Sequence, residues 1–166
     1  MKYIAILLTA LSFCTLDVQA QKFGHVNSQL LLDTLPETAV AQAELEAINL
    51  EFEKELQLQQ ADLEVLVTQI QAMQADPAVS DFTKQSKISK YESDQQRLQE
   101  TYTVAQQQLA AKEQELLAPI IEKAREAIKE VGKENGFVYI FDLNSGGIIY
   151  EGGEDVLPLV LAKLGQ

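Results

Sequence analysis

Few residues in this chain could do covalent chemistry, and none has the company that such chemistry needs. His25 is the only histidine. It lies beside Gly24 on a short predicted strand, which suits a packed or half-exposed ring better than a catalytic base, because catalysis needs several polar groups converging in one pocket. Glu44, Glu51 and Glu55 have helical spacing, as metal-binding carboxylates can have, but no histidine accompanies them and a solvated helix face explains them better. Gly146-Gly147 and Gly152-Gly153 are isolated doublets that read as turns, not phosphate cradles. There is no HExxH pair, no GxSxG elbow and no P-loop. Lys84, Lys87 and Lys90 recur every three residues and suit either a weak contact with a membrane surface or ordinary surface charge. The expectation is a protein that is not an enzyme and uses no cofactor or metal. Its function must lie in surfaces, and the elements that build them come next.

The first residues read as an export signal. Met1-Lys2 gives a positive start, Tyr3 to Leu16 an apolar run, and Val18-Gln19-Ala20 the small residues of a cleavage site after Ala20. The run is shorter than the roughly 20 residues a spanning helix needs. Cys14 follows Phe13, where a lipoprotein signal needs a small residue, so the thiol is expected to leave with residues 1–20. The remaining chain then has neither a disulfide nor a cysteine zinc site. The formal net charge of −12 is unchanged by cleavage, because Lys2 and Asp17 leave together. Such a charge favours solubility and argues against nonspecific binding to nucleic acid or anionic lipid.

The middle of the chain predicts a long helical hairpin over residues 37–118. Thr34 and Glu37 form a candidate capping box around Pro36, which fits a first helical turn. From Glu37 to Ala75 there is neither Gly nor Pro, and Ala41, Leu45, Ile48, Phe52, Leu56, Gln59, Leu63, Leu66, Ile70 and Met73 form a heptad-like seam. Asp76-Pro77 breaks this helix, and Ser80-Asp81 caps the return, placing the tip at about 76–81. Ile88, Tyr91, Gln95, Leu98, Tyr102, Ala105, Leu109, Lys112, Leu116 and Ile120 form the answering seam. Antiparallel partners must have position numbers of constant sum, and Ile70 with Ile88, Leu66 with Tyr91, Leu56 with Tyr102, Phe52 with Ala105 and Ile48 with Leu109 all sum to 157 or 158. The same register opposes Gln59 to Leu98, Leu63 to Gln95 and Leu45 to Lys112, so the arm should be helical but pliable. Leu50, Leu58, Val65 and Val67 fall off the seam and are the candidate binding positions.

The two ends, 21–36 and 119–166, predict a small α/β body. Phe23 to Val26 reads as a strand and Ser28 to Leu35 as a short helix. The stripe Ile120, Ala124, Ile128, Val131 continues past Pro119. Phe137 to Phe141 reads as a strand covered on both faces, Asn144 to Gly147 as a hairpin turn, and Ile148 to Tyr150 as the returning strand. Asp155 then caps a last helix carrying Leu157, Val160, Leu161 and Leu164. A body this small, with strand edges, is expected to oligomerise. Val26, Val138, Ile140 and Ile149 are the residues expected to hold that assembly. The fold class is thus mainly α with a small β body, from which a long antiparallel hairpin projects.

Lys22-Phe23-Gly24-His25-Val26-Asn27-Ser28, Leu117-Ala118-Pro119-Ile120-Ile121-Glu122-Lys123, Ala127 to Val131, and Glu134-Asn135-Gly136-Phe137 leading to Asp142 together resemble the Skp/OmpH family of periplasmic chaperones. The resemblance runs in order through the whole chain after Ala20. It implies a homotrimer in the periplasm of a Gram-negative cell, with a central β body and three hairpins. These would enclose unfolded outer-membrane proteins, without ATP, and prevent their aggregation. The arms depart from the basic ones frequent in the family, because the outgoing helix carries Glu44, Glu46, Glu51, Glu53, Glu55, Asp62 and Glu64. The competing reading is a structural or regulatory coiled-coil protein of the envelope that docks one folded partner through its arm.

Overall fold

The computed structural model describes residues 21–166. The expected signal peptide, its cleavage point after Ala20 and Cys14 lie outside the described residues. Eight elements follow in order: strand β1 (Lys22–Val26), helix α1 (Ser28–Thr34), helix α2 (Pro36–Ala75), helix α3 (Asp81–Glu134), strand β2 (Phe137–Asp142), a 3-10 turn (Leu143–Ser145), strand β3 (Glu154–Asp155) and helix α4 (Leu157–Leu164).

The long helices α2 and α3 form the hairpin. At about 1.5 Å per residue, the 40 residues of α2 extend about 60 Å. Asp76 ends α2 and turns the chain, its carboxylate accepting the Ala78 N–H at 2.8 Å. Ser80 opens α3, its hydroxyl accepting the Thr83 N–H at 3.3 Å. The expected capping box at the start of α2 does not form. Leu35 occupies the cap without a side-chain bond, and the Thr34 hydroxyl instead donates back to the Leu30 carbonyl at 2.7 Å. Thr34 still belongs to α1, whose backbone it satisfies, so Glu37 is left to pair with Lys123 across the hairpin.

Pro119 lies inside α3, which runs unbroken through 54 residues from the tip into the end of the chain that carries β2. Proline removes one N–H from the helical ladder, and the helix tolerates this where Ile120, Ala124, Ala127 and Val131 enter the buried cluster and α3 begins packing against α1, β2 and α4. The Asn135 cap and Gly136, at φ +71°, end the helix.

The strands form a three-stranded sheet of order β2-β1-β3, with both pairs parallel. The expected hairpin after β2 is therefore absent. The chain leaves β2 through the 3-10 turn, and pairs again only where Glu154 and Asp155 lie beside Gly24 and His25, on the far edge of β1. Residues Ile148 to Tyr150 join no strand. Asp155 helps to open α4, its carboxylate accepting the Leu157 N–H at 2.9 Å.

One face of the sheet packs on helices. Val26, Leu31, Leu35, Ala41, Ile120, Ala124, Ala127, Val131, Val156 and Val160 form a single buried cluster. Gly24 is required here, because a side chain on it would collide with Val156 and Phe137. The other face is open, which corrects the expectation that β2 is covered on both sides. Among the described residues helices lie on one side only, so alternate residues of β2 on the other face meet no helix.

Candidate functional site

The seam of α2 is where its residue spacing places it. All ten of its positions from Ala41 to Met73 are buried or half-buried. On α3 the face is rotated slightly. Asp94 and Thr101 are half-buried, whereas Gln95 is exposed and Tyr102 is 48% exposed. The spacing 91, 94, 98, 101, 105 keeps an a/d seam, and it admits two polar residues in place of Gln95 and the large Tyr102 ring.

Polar groups in the seam find partners across it. The Gln59 amide donates to Thr101 at 3.3 Å and to Glu55 at 2.8 Å, while its oxygen is buried without a partner. Lys112 reaches Glu44 at 3.2 Å and Glu115 at 3.0 Å. The hydrogen bonds it donates to Glu115 and then Glu44 hold its ammonium above the usual lysine range. Lys87 donates to Gln69 at 3.0 Å. These contacts bracket the register. Lys87 with Gln69 and Lys112 with Glu44 sum to 156, and Gln59 with Thr101 and Lys123 with Glu37 sum to 160.

Off the seam, Leu58 and Val65 are each 56% exposed, and Leu50 is exposed as well. Val67 is half-buried, against the expectation of an exposed residue. Helical geometry separates the four. Leu58 and Val65 are seven residues apart and share a flank, whereas Val67 lies about 200° around the helix from Val65, on the side of the opposite groove. Val65 and Asp62 line a groove of about 310 Å³ with Lys87, Lys90, Asp94 and Arg97. Val104, one heptad beyond Arg97, is exposed on that same flank. Val104 is not among the positions the sequence singled out, although its spacing of seven from Arg97 and fourteen from Lys90 was the available signal. The opposite flank has a groove of about 280 Å³ lined by Phe52, Leu56, Tyr102, Ala105 and Leu109 with Asn49, Glu53 and Gln106.

The charges near the tip are largely engaged within the hairpin. Lys90 pairs with Asp94 at 2.6 Å, and Arg97 approaches the same carboxylate at 3.6 Å. The Lys90 hydrogen bond, outweighing burial, holds Asp94 below the usual carboxylate range. With Lys87 bound to Gln69, Lys84 is the member of the tip trio for which no such bond is formed.

The β body presents a different surface. Phe23, Tyr139 and Phe141 stack on the open face of the sheet, with ring centroids 6.0 to 6.5 Å apart. All three are exposed. Strand alternation puts His25 on this face too, with its Nδ1 buried and unpartnered. The four residues expected to hold an assembly are not equivalent. Val26 is 2% exposed and belongs to the protomer's own core. Ile140 packs against that core. Val138 is exposed at a bulge, between residues 137 and 139 that oppose Lys22 and Phe23. Ile149 is fully exposed. The aromatic triad was missed, although it follows from the alternation in Phe137 to Phe141 once one face is known to be open.

Among the described residues no cluster of His, Cys, Asp and Glu side chains could hold a metal ion. Glu44 is taken up by Lys112. No described helix is long and apolar enough to cross a membrane.

A crystal structure of a Caulobacter crescentus CB15 protein, assigned as an OmpH-like outer membrane chaperone, shares this fold. Its TM-score is 0.73 at 14% identity, over 87% of this chain and 84% of that one. No curated protein matches the sequence. The family model for OmpH-like outer membrane proteins matches residues 22–164, from the first strand to the last turn of α4. The hairpin, the small parallel sheet and the matched span agree, and the chain belongs to the OmpH-like outer membrane protein family.

Proposed function

We propose that this protein is an ATP-independent holdase chaperone of the periplasm, which binds unfolded outer-membrane proteins and prevents their aggregation. In this reading residues 1–20 direct export. Residues 21–36 and 119–166 form a trimerising body, and residues 37–118 form the arm, with three arms enclosing a client. The observation that carries the reading is the flank bearing Leu58, Val65 and Val104, all exposed along the projecting hairpin. Dispersed apolar positions of this kind suit many weak contacts with an unfolded chain. The open aromatic face of the body supports oligomerisation, with Phe23, Tyr139 and Phe141 added to Val138 and Ile149 as its contacts. Lys84, at the tip, is the residue best placed for a weak membrane-surface contact.

The test is whether the purified protein suppresses aggregation of an unfolded β-barrel protein at about one trimer per client. A Leu58→Ser/Val65→Ser variant should weaken client binding about tenfold, equivalent to about 1.4 kcal/mol over the three arms. Phe82, at the tip, is 84% exposed and offers the control. If Phe82→Ser abolishes function and the double variant does not, docking of one partner through the tip replaces the holdase reading.

A further inference from the structure

A continuous groove runs along one flank of the hairpin, from the body to the middle of the arm. Its far end is the cavity beside Tyr102, which shares Asn49 and Leu109 with a neighbour of about 440 Å³. That neighbour shares Gln42, Leu45 and Glu113 with a cavity of about 380 Å³ between α1 and the base of the arm. This one in turn shares Leu32 and Ile121 with a cavity of about 290 Å³ that reaches Ile128 and Asp142 in the body. From Tyr102 to Ile128 of α3 the groove extends about 39 Å, at about 1.5 Å per residue.

Its lining has an apolar part and a neutral polar part. Leu45, Leu56, Leu109, Leu117 and Ile128 are half-buried along it. Beside them stand the carboxamides of Gln29, Gln42, Asn49 and Gln106. Asn49 is oriented by donating to Glu53 at 2.8 Å, and Gln29 by donating to Asp33 at 2.9 Å. Thr38 lines the groove too, is 5% exposed, and has a buried hydroxyl without a partner. Arg125 and Lys129, at the body end, are each paired with a glutamate of their own helix.

We infer that this groove holds one strand-length, extended segment of an unfolded membrane-barrel protein and reads its backbone. The inference rests on the holdase reading and adds a defined site on the flank opposite Leu58 and Val65. At about 3.3 Å per residue the groove takes about 12 residues of extended chain, and a membrane-spanning strand has about 9–11. Such strands alternate apolar and polar residues, so every second side chain meets the leucines while the others face water. The backbone N–H and C=O groups of the segment need partners once water is displaced. A carboxamide offers both a donor and an acceptor, whatever the client sequence. A helix from a second copy satisfies its own backbone, and an acyl chain has none, so neither would use the amides or the Thr38 hydroxyl.

The test titrates the full-length protein with a fluorescent, end-blocked peptide of about ten residues that alternates leucine and threonine. A second peptide, methylated on alternate backbone nitrogens, keeps the side chains and loses donors. It should bind about tenfold more weakly. Gln42→Leu/Gln106→Leu should weaken the unmodified peptide by about as much and leave the methylated one unchanged. Thr38→Val should act in the same direction, with the helical signal of both variants intact. Leu58→Ser/Val65→Ser, on the other flank, should leave peptide binding unchanged. Equal binding of the two peptides, or indifference to Gln42→Leu/Gln106→Leu, overturns the inference. If the protein still keeps an unfolded barrel protein from aggregating, the holdase reading then stands without the groove. If it does not, both fall. Should dodecanoate bind in place of the peptide, the groove belongs to an amphiphile. Should Gln42→Leu/Gln106→Leu instead abolish self-association of the wild type, it belongs to a second copy. Either result overturns the inference.

Discussion

The Ser28 hydroxyl donates to the Asp142 carboxylate at 2.7 Å across 114 residues of sequence, joining the start of α1 to the end of β2. The Ser28 N–H adds a second bond at 3.3 Å and the Asn144 N–H a third at 3.1 Å. Asp142 is thus the latch between the two ends of the chain that the hairpin separates. Asp142→Ala should lower the stability of the body by about 1–3 kcal/mol, because three donors lose their acceptor. Asp142→Asn should cost less. Chemical unfolding, followed by the near-ultraviolet signal of the tyrosines, checks this.

The same latch predicts acid sensitivity. Burial pushes the Asp142 carboxyl up, but the bonds from Ser28 and Asn144 outweigh it and hold the group below its ordinary value. A carboxylate depressed in the folded state contributes stability above its unfolded value, about 3.9 for aspartate. That contribution disappears as pH falls through the lower folded value. Glu37, depressed by its bond to Lys123, acts in the same direction. The unfolding midpoint should be level from pH 7 to about 5 and fall below about pH 4, and Asp142→Asn should reduce the fall.

Cysteines at positions 48 and 109, or 66 and 91, should cross-link within one chain in a Cys14→Ser background. A pair shifted by one turn, such as 66 with 95, should cross-link less readily, because Gln95 faces solvent. Gln59→Leu should stabilise the arm by about 1 kcal/mol, since it replaces a buried unpaired oxygen with an apolar contact. Thermal melts of the helical signal read this directly.

How much of this was legible in the sequence depended on whether a feature was local and periodic. The breaks at Asp76-Pro77 and Ser80, and the seam of α2, follow from spacing and cap chemistry alone. The α3 seam was harder, because patterning favours the bulky Tyr102 over Thr101, whereas the bond from Gln59 to Thr101 rewards the smaller residue. The β body was least legible. Ile148 to Tyr150 has strand composition behind turn-forming residues, but the pairing of Glu154 and Asp155 with β1 decides where the chain goes. That pairing is set by residues far apart in sequence. Val26 reads as an interface residue for the same reason: an apolar strand residue does not say whether the atoms that cover it belong to the same chain, and here they do.

Client affinity should depend little on salt. The outgoing helix is acidic, so an acidic unfolded client gains no attraction from it, and exposed charges more than about 8 Å apart are screened at physiological salt. In the proposed reading the contact rests on the exposed Leu58, Val65 and Val104. Affinity for an unfolded barrel protein should stay level or rise between low and high salt, and a steep loss would show that charge dominates.

The hairpin is inserted between the two strands β1 and β2 that pair with each other, and this imposes an order on folding. Delivered from the N-terminus, β1 emerges long before the strand that completes it. Until then its edge stays open to wrong pairings. Closing the 114-residue span from Ser28 to Asp142 as open coil is entropically worse, by about 1 kcal/mol, than closing it after α2 and α3 have zipped together and brought Glu37 against Lys123. The arm is therefore the first unit able to form and the sheet the last. The arm, formed first, is then the surface available to cover the chain's own opening strand until β2 arrives.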